Sequence, residues 1–154
     1  MFKAAFGHVF TFVMALVALL PSTAHAQGMR DRIPASEYAA LVGLFNSTGG
    51  PGWKDHSHWL DPAAPSWHGV VVSGGDVTEL DLTDNNLAGF IPASFGNLSL
   101  LSVAYLGHNR LTGAIPSTIG NLSQLSIFHA EDNALSGSIP ASIGNLTLLT
   151  DLDL

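Results

Sequence analysis

Acidic, histidine and tyrosine side chains recur at fixed positions between leucines in the second half of the chain. Three sets of residues each share one position, namely Glu79, Val103, Ile127 and Asp151, then Asp81, Tyr105, His129 and Asp153, then Asp84, His108 and Asp132. Carboxylates beside aromatic and apolar groups suit a partner that offers lysine or arginine around an apolar anchor, and tyrosine is a frequent interface hot spot. The chemistry that these residues predict is non-covalent binding.

The same carboxylates could instead form the solvated face of an acidic protein, because exposed charge also aids solubility. The chain has 12 Asp and Glu against 5 Lys and Arg, which gives a formal net charge of −7. Nucleic-acid binding needs a basic footprint, so this composition argues against it. The ligand that the pattern favours is a protein or a peptide, and a basic ligand fits the charge.

Catalytic and metal-binding patterns are weak. His56-Ser57-His58 offers two metal ligands, but no second spaced pair completes a site. Residues 81–86 lack the glycine and the distal glutamate of a calcium loop. The chain has no nucleophile elbow, phosphate loop or zinc-protease helix. We therefore expect no enzymatic activity, no metal site and no cofactor.

A period of 24 residues positions the candidate binding residues. Three glycines, three prolines and three asparagines recur at this period, namely Gly89, Gly113 and Gly137, then Pro92, Pro116 and Pro140, then Asn97, Asn121 and Asn145. Repetition at this length marks a solenoid, in which one coil cannot bury its apolar side chains alone. The period divides the chain into repeats 77–100, 101–124 and 125–148 and a partial repeat 149–154.

Each repeat contains the pattern L-x-x-L-x-L-x-x-N-x-L. In the first repeat its positions are held by Val77, Leu80, Leu82, Asn85 and Leu87. The alternation around Leu80 and Leu82 predicts a short strand with inward apolar side chains, and stacking of coils pairs such strands into a parallel sheet. The inward Asn85, Asn109 and Asn133 can satisfy backbone groups where each strand bends away. The candidate binding residues then project from the solvent side of the sheet.

The remainder of each repeat resembles the L-x-G-x-I-P signature of the plant-specific class of leucine-rich repeats. The matching segments are Leu87 to Pro92, Leu111 to Pro116 and Leu135 to Pro140. The resemblance covers residues 77–154 and implies an α/β-type solenoid, a right-handed superhelix with a parallel β-sheet on its concave face and a mostly irregular convex side. The repeated proline also disfavours regular α-helix on that convex side.

Residues 27–76 resemble the N-terminal cap of the same family, with a short helix and a tryptophan-rich loop. Helical spacing of apolar residues follows Ser36, a candidate N-cap residue. Plant receptor caps usually place cysteines near their second tryptophan motif, and this chain has none, so the resemblance is to cysteine-free caps of bacterial and protist secreted or receptor-like proteins. We expect Trp53, Trp59 and Trp67 to cover the end of the leucine core, with ligand stacking as the alternative.

Residues 1–26 have the anatomy of a secretory signal peptide. Lys3 precedes an apolar run over 9–20, and Ala24-His25-Ala26 forms a cleavage motif. The run is shorter than the roughly 20 residues that a membrane span needs, and an uncleaved signal anchor is the alternative. We expect no later span, and we expect the mature chain to be secreted or at the cell surface, or in the periplasm of a Gram-negative host.

Two further features concern modification and assembly. Sequons at Asn46, Asn97, Asn121 and Asn145 could carry glycans in a eukaryotic host, although the repeat itself explains three of them. The sequence stops at Leu154 inside the strand of the fourth repeat, without the polar cap that solenoids normally need. We expect either a longer protein, with this chain as its front part, or self-association through the uncapped C-terminal edge.

These patterns predict an exported recognition module that binds a protein or peptide through the concave face of its repeats. Two alternatives stay open. One is a structural cell-surface or adhesion protein without one specific ligand, and the other is the ectodomain fragment of a larger receptor-like signalling protein.

Overall fold

A computed structural model describes residues 28–154, so the predicted signal peptide lies outside the described residues. Two helices come first, α1 (Met29–Arg32) and α2 (Ala35–Ser47). The strands are β1 (Val70–Ser73), β2 (Asp76–Asp81), β3 (Ala88–Phe90), β4 (Val103–Tyr105), β5 (Arg110–Gly113), β6 (Ile127–His129), β7 (Ala134–Leu135) and β8 (Asp151–Asp153). Single 3₁₀ turns span Gly50–Gly52, Ala93–Asn97, Ser117–Asn121 and Ala141–Asn145. Among the described residues, no helix is long and apolar enough to cross a membrane.

The concave sheet has the strand order β1-β2-β4-β6-β8. From β2 onward the pairs are parallel, and the register aligns Leu80, Ala104, Phe128 and Leu152. The first three of these side chains are fully buried. This confirms the stacked parallel strands that the repeat predicts.

The first strand of that sheet was not predicted. β1 pairs antiparallel with β2 through a turn at Gly74 and Gly75, whose φ angles are 66° and 97°. Two glycines with positive φ suit a tight hairpin, because their backbone twist matches that of the strands. The repeat strands form the predicted parallel sheet, and β1 from the cap adds an antiparallel hairpin strand at its edge.

The convex side carries a second parallel sheet, β3-β5-β7, and the 3₁₀ turns. The described repeats contain no α-helix, as their prolines predict. Gly89 has a φ of 133° and no room for a side chain. A Cβ at this position would lie 2.0 Å from the carbonyl oxygen of Ser47. The glycine thus allows the first repeat to pack against the end of α2.

The asparagines form a ladder between coils. The Asn109 Oδ1 accepts hydrogen bonds from the backbone N–H groups of Asn85 and Leu87, both at 3.0 Å. Its Nδ2 lies 2.9 Å from the carbonyl oxygen of Leu82 in the preceding repeat. Asn133 repeats the arrangement one coil later, accepting from the N–H of Leu111 at 2.8 Å. The predicted structural role of these asparagines is confirmed.

A second ladder, which the sequence analysis missed, uses hydroxyl groups. Ser102 and Ser126 each donate 2.9 Å hydrogen bonds to the carbonyl oxygen of the residue one repeat earlier, at Thr78 and Ser102. Thr150 continues the series to the carbonyl of Ser126 at 3.2 Å. The small polar residue just before β4, β6 and β8 therefore helps to fix the register between neighbouring coils.

The cap closes the core with aromatic rings. Trp59 packs between Trp53 and Trp67, with ring centroids 4.9 Å away on either side, and Phe45 stacks on it at 5.6 Å. All three tryptophans are buried, which confirms packing rather than ligand stacking. The Ser36 prediction is wrong: α2 begins at Ala35 with Pro34 as its N-cap, because the Pro34 carbonyl already accepts the N–H of Tyr38 at 3.0 Å.

One buried carboxyl joins α2 to the first repeat. Glu37 is 1% exposed, and its Oε2 accepts the N–H of Val77 at 2.8 Å. Its Oε1 has no hydrogen-bond partner among the described residues. Burial raises the pKa of Glu37 and the nearby Asp76 raises it further, while the Val77 hydrogen bond opposes them.

The raised pKa makes stability depend on pH. The folded state holds this proton more tightly than the unfolded state, so the contribution of Glu37 is full at acidic pH and lost as pH rises through its folded pKa. Glu37→Gln keeps an acceptor for Val77 but cannot ionise. Its free energy of unfolding, measured in urea, should exceed that of the wild type at pH 7, and the gain should shrink at pH 4. The exposed Glu79→Gln is the control, and a gain independent of pH would contradict the assignment.

The asparagine ladder predicts that removing one asparagine side chain lowers the free energy of unfolding. Asn109→Ala leaves the buried N–H groups of Asn85 and Leu87 without an acceptor, and each such group costs about 1–3 kcal/mol. We expect the free energy of unfolding in urea to fall by at least about 2 kcal/mol. Asn97→Ala, at an exposed repeat position, should change it by less than about 0.5 kcal/mol. Equal losses in the two variants would contradict the ladder.

Candidate functional site

The concave face is the solvent side of β2, β4, β6 and β8. The strand register brings its eight residues into two columns, Glu79, Val103, Ile127 and Asp151 in one, and Asp81, Tyr105, His129 and Asp153 in the other. These are two of the three sets that the sequence analysis singled out. The inward residues between them, Leu80, Ala104 and Phe128, bury β2, β4 and β6 against the core, whereas Leu152 of β8 is 39% exposed.

The middle of the concave face carries no Asp, Glu, Lys or Arg. Val103, Tyr105, Ile127 and His129 are all half-buried. The Tyr105 and His129 rings meet edge to face, with centroids 5.2 Å apart and planes at 68°. Val103 and Ile127 are direct neighbours in the other column. The two middle strands therefore present apolar and aromatic surface without a carboxylate.

Both ends of the concave face are acidic. Glu79 and Asp81 lie on β2, Asp151 and Asp153 lie on β8, and all four are exposed. The Asp81 carboxylate accepts the N–H of Thr83 at 3.1 Å. Asp151 lies 3.1 Å from Nε2 of His129, without an aligned hydrogen bond. Within these four strands, charge is thus held on β2 and β8, and the exposed Val71 of β1 lies beyond Glu79.

The third set, Asp84, His108 and Asp132, lies beside the concave face in the turns after the strands. All three have left-handed backbones, with φ of 49°, 55° and 50°. Nδ1 of His108 lies 2.9 Å from the Asp132 carboxylate. Asp84 pairs instead with Lys54 of the cap, whose hydrogen bond and positive charge lower the pKa of Asp84. The structure therefore joins His108 to one of the two aspartates that flank it.

Three side chains near this edge were missed by the sequence analysis. Lys54 and Arg110 line a cleft of about 160 Å³ together with Asp84 and His108. Glu131 folds over Gly107, where a Cβ would lie 2.1 Å from a carboxylate oxygen. The repeat pattern could have identified Glu131, because it occupies a position that points away from the core. Nothing in the sequence links Lys54 to the repeats.

The cap loop carries the two histidines of the His56-Ser57-His58 segment. Residues 54–59 and Asp61 line an open cleft of about 460 Å³ that includes His56 and His58. Over residues 28–154, no group of three or more potential ligands is placed to hold a metal ion. The Asp55 carboxylate accepts hydrogen bonds within the loop. These bonds from Ser57 lower the pKa of Asp55, and the charges of His68 and His56 lower it further.

The sequon asparagines lie away from the concave face. Asn97, Asn121 and Asn145 end successive 3₁₀ turns of the convex side and are exposed. Asn46 is exposed as well, within α2. A glycan at any of the three convex positions would therefore leave the concave columns uncovered.

Comparison with known proteins identifies the repeats. Residues 76–135 match the family model described as leucine rich repeat. No curated protein matches the chain. Among solved structures, the chain is similar to a plant ice-binding protein, with 27% identity over 80% of this chain and 41% of that one, and a TM-score of 0.70.

Two further solved structures come from Arabidopsis thaliana. The complex of BIR3 and SERK2 matches with 31% identity over 75% of this chain and 65% of that one, at a TM-score of 0.61. The LRR ectodomain of the receptor kinase SOBIR1 matches with 26% identity over 79% of this chain and 66% of that one, at a TM-score of 0.59. The chain thus spans less than two thirds of each of the three structures. The repeat register and the family model show that residues 76–135 are leucine-rich repeats, and their fold is similar to that of plant receptor ectodomains.

Proposed function

We propose that the chain is an exported recognition module that binds a protein or peptide through its concave face. The observation that carries this proposal is the half-buried centre, formed by Val103, Tyr105, Ile127 and His129, between exposed carboxylates. An apolar and aromatic centre with a polar rim is the usual anatomy of a protein interface. No catalytic step is proposed, because the leucine-rich repeat scaffold presents a surface for binding.

Preorganisation favours recognition by this surface. Tyr105 is held between its neighbours in the column, with the His129 ring against its edge. A fixed aromatic side chain loses little conformational entropy when a ligand binds, so more of the contact energy appears as affinity. Tyr105 is therefore the residue that we expect to contribute most.

The comparisons support the location and the kind of partner. The similar ectodomain belongs to a receptor kinase, and another similar structure is a complex of two proteins. We propose an extracellular or cell-surface location on this basis. The ectodomain fragment of a larger receptor-like protein and an adhesion protein without one specific ligand are the alternatives, and a ligand that depends on Tyr105 would exclude the second.

The direct test is selection of binders from a random peptide display library against the full chain. Tyr105→Ala and His129→Ala should each weaken the selected peptides at least tenfold, measured by fluorescence polarisation. The matched control is Phe90→Ala, since Phe90 is an aromatic residue outside the concave face and 56% exposed. If Phe90→Ala weakens binding and Tyr105→Ala does not, recognition lies elsewhere on the molecule.

A second candidate function is ice binding, which the similar plant protein performs. The specific observation is the convex side, where residues 85–102, 111–126 and 133–150 contain no Asp, Glu, Lys or Arg. Exposed hydroxyls form a column there, at Ser99, Ser123 and Thr147. Water in ice is regularly spaced, and a column of hydroxyls that recurs once per coil offers regular contacts to it.

Thermal hysteresis of the purified chain tests this candidate. Ice binding predicts a freezing point below the melting point, and Ser123→Asp should abolish the gap by placing a charge in the hydroxyl column. Asp81→Asn, on the opposite side, should leave the gap unchanged. Equal freezing and melting points for the wild type would remove the candidate.

A further inference from the structure

Resting on the proposed function, we infer that the concave face binds an extended peptide with two basic residues four positions apart and an apolar residue midway. The inference comes from the order of charges across the sheet. Two carboxylates lie on β2, none on β4 or β6, and two on β8. A ligand that complements this order carries positive charge at two points and apolar surface between them.

The spacing of the strands fixes the separation of the two basic groups. β2 and β8 are joined through β4 and β6, which makes three adjacent strand pairs. Neighbouring strands lie about 4.8 Å apart, so the two acidic ends are separated by roughly 14 Å. The ligand must therefore span this distance across the strands, along the axis of the solenoid.

An extended peptide meets this requirement at one spacing. Each residue advances the chain by about 3.4 Å, and side chains at alternate positions point to the same side. Residues i and i+4 are thus about 14 Å apart on one side, with i+2 between them. Spacings of three or five place the second basic group on the opposite side, and a spacing of six reaches about 20 Å.

Among the described residues, Glu79, Asp81 and Asp153 have no cationic partner, and Asp151 lies 3.1 Å from Nε2 of His129. No lysine or arginine among residues 28–154 pairs with Glu79, Asp81, Asp151 or Asp153. Lys54 of the cap and Arg110 of β5 instead line the cleft of about 160 Å³ beside Asp84 and His108. Carboxylates two positions apart on a strand are about 7 Å apart on the same side, so one lysine or arginine can lie between each pair.

The centre of the concave face accommodates the apolar residue. Val103 and Ile127 are adjacent in one column, and Tyr105 lies beside Val103 on the same strand, one alternate position away. A leucine at the middle position of the ligand would contact all three. Burying such a side chain contributes on the same scale as a core contact, and it excludes water from the flanking ion pairs.

Three end-capped peptides of identical composition test the inference, with arginines placed four, three or six positions apart in an alanine and serine background containing one leucine. Titrated into the full chain and measured by fluorescence polarisation, the peptide with arginines four apart and leucine midway should bind at least tenfold more tightly than the other two. Equal affinities, or a preference for another spacing, would overturn the inference.

Variants at one end sharpen the test. The double variant Asp151→Asn and Asp153→Asn should weaken the peptide with the four-residue spacing at least tenfold and bring the three peptides to similar affinities, because only one acidic end remains. Asp31→Asn, an exposed residue of α1, removes a charge elsewhere and should preserve the spacing preference. A preference that survives loss of Asp151 and Asp153 would contradict the two-ended site.

The two proposals fail in different ways. If library-selected peptides need Tyr105 but the designed peptides show no spacing preference, the concave face binds ligands of another pattern, and only the inference is lost. If the selected peptides bind the Tyr105→Ala and His129→Ala variants as tightly as the wild type, both the proposed function and the inference are wrong.

Discussion

The fixed register between neighbouring coils is the constraint on which the rest of the molecule depends. It is set by inward side chains such as Leu80, Ala104 and Phe128, and by Asn109 and its equivalents, which bond the backbone of the preceding coil. A slip of one residue would turn every inward side chain to solvent. The column of asparagines makes such a slip costly, because each one accepts a hydrogen bond from a backbone N–H of the neighbouring coil or cap.

Because the register is fixed, the outward residues can vary without changing the fold. The concave columns hold carboxylates on β2 and β8 and none on β4 and β6. On the convex side, residues 85–102, 111–126 and 133–150 carry no Asp, Glu, Lys or Arg, and Arg110 at the start of β5 lines the cleft beside Asp84. Charge is thus segregated between two sides of one scaffold. The two candidate functions separate along the same line, with peptide recognition on the charged side and ice binding on the uncharged one.

The repeat made most of this predictable. Leucines, asparagines and prolines that recur at one period determine strand positions, stacking and the two columns, since each coil meets a copy of itself. The cap has no such copy, and its contacts are long-range and occur once. The repeat therefore does not predict three contacts of the cap: the β1 hairpin, the Glu37 bond to Val77 and the Lys54 pair with Asp84. For the hairpin alone the sequence held a signal, because Gly74-Gly75 lies between segments that contain valine.

The central claim is that the strand register creates one binding surface on the concave side. The most direct measurement is a map of backbone amide chemical shifts in the labelled full chain as the peptide with arginines four apart is added. The account predicts that the largest changes fall on β2, β4, β6 and β8 together, with the convex 3₁₀ turns unchanged. Changes concentrated in the cap loop 54–61 or along the column of Ser99, Ser123 and Thr147 would contradict it.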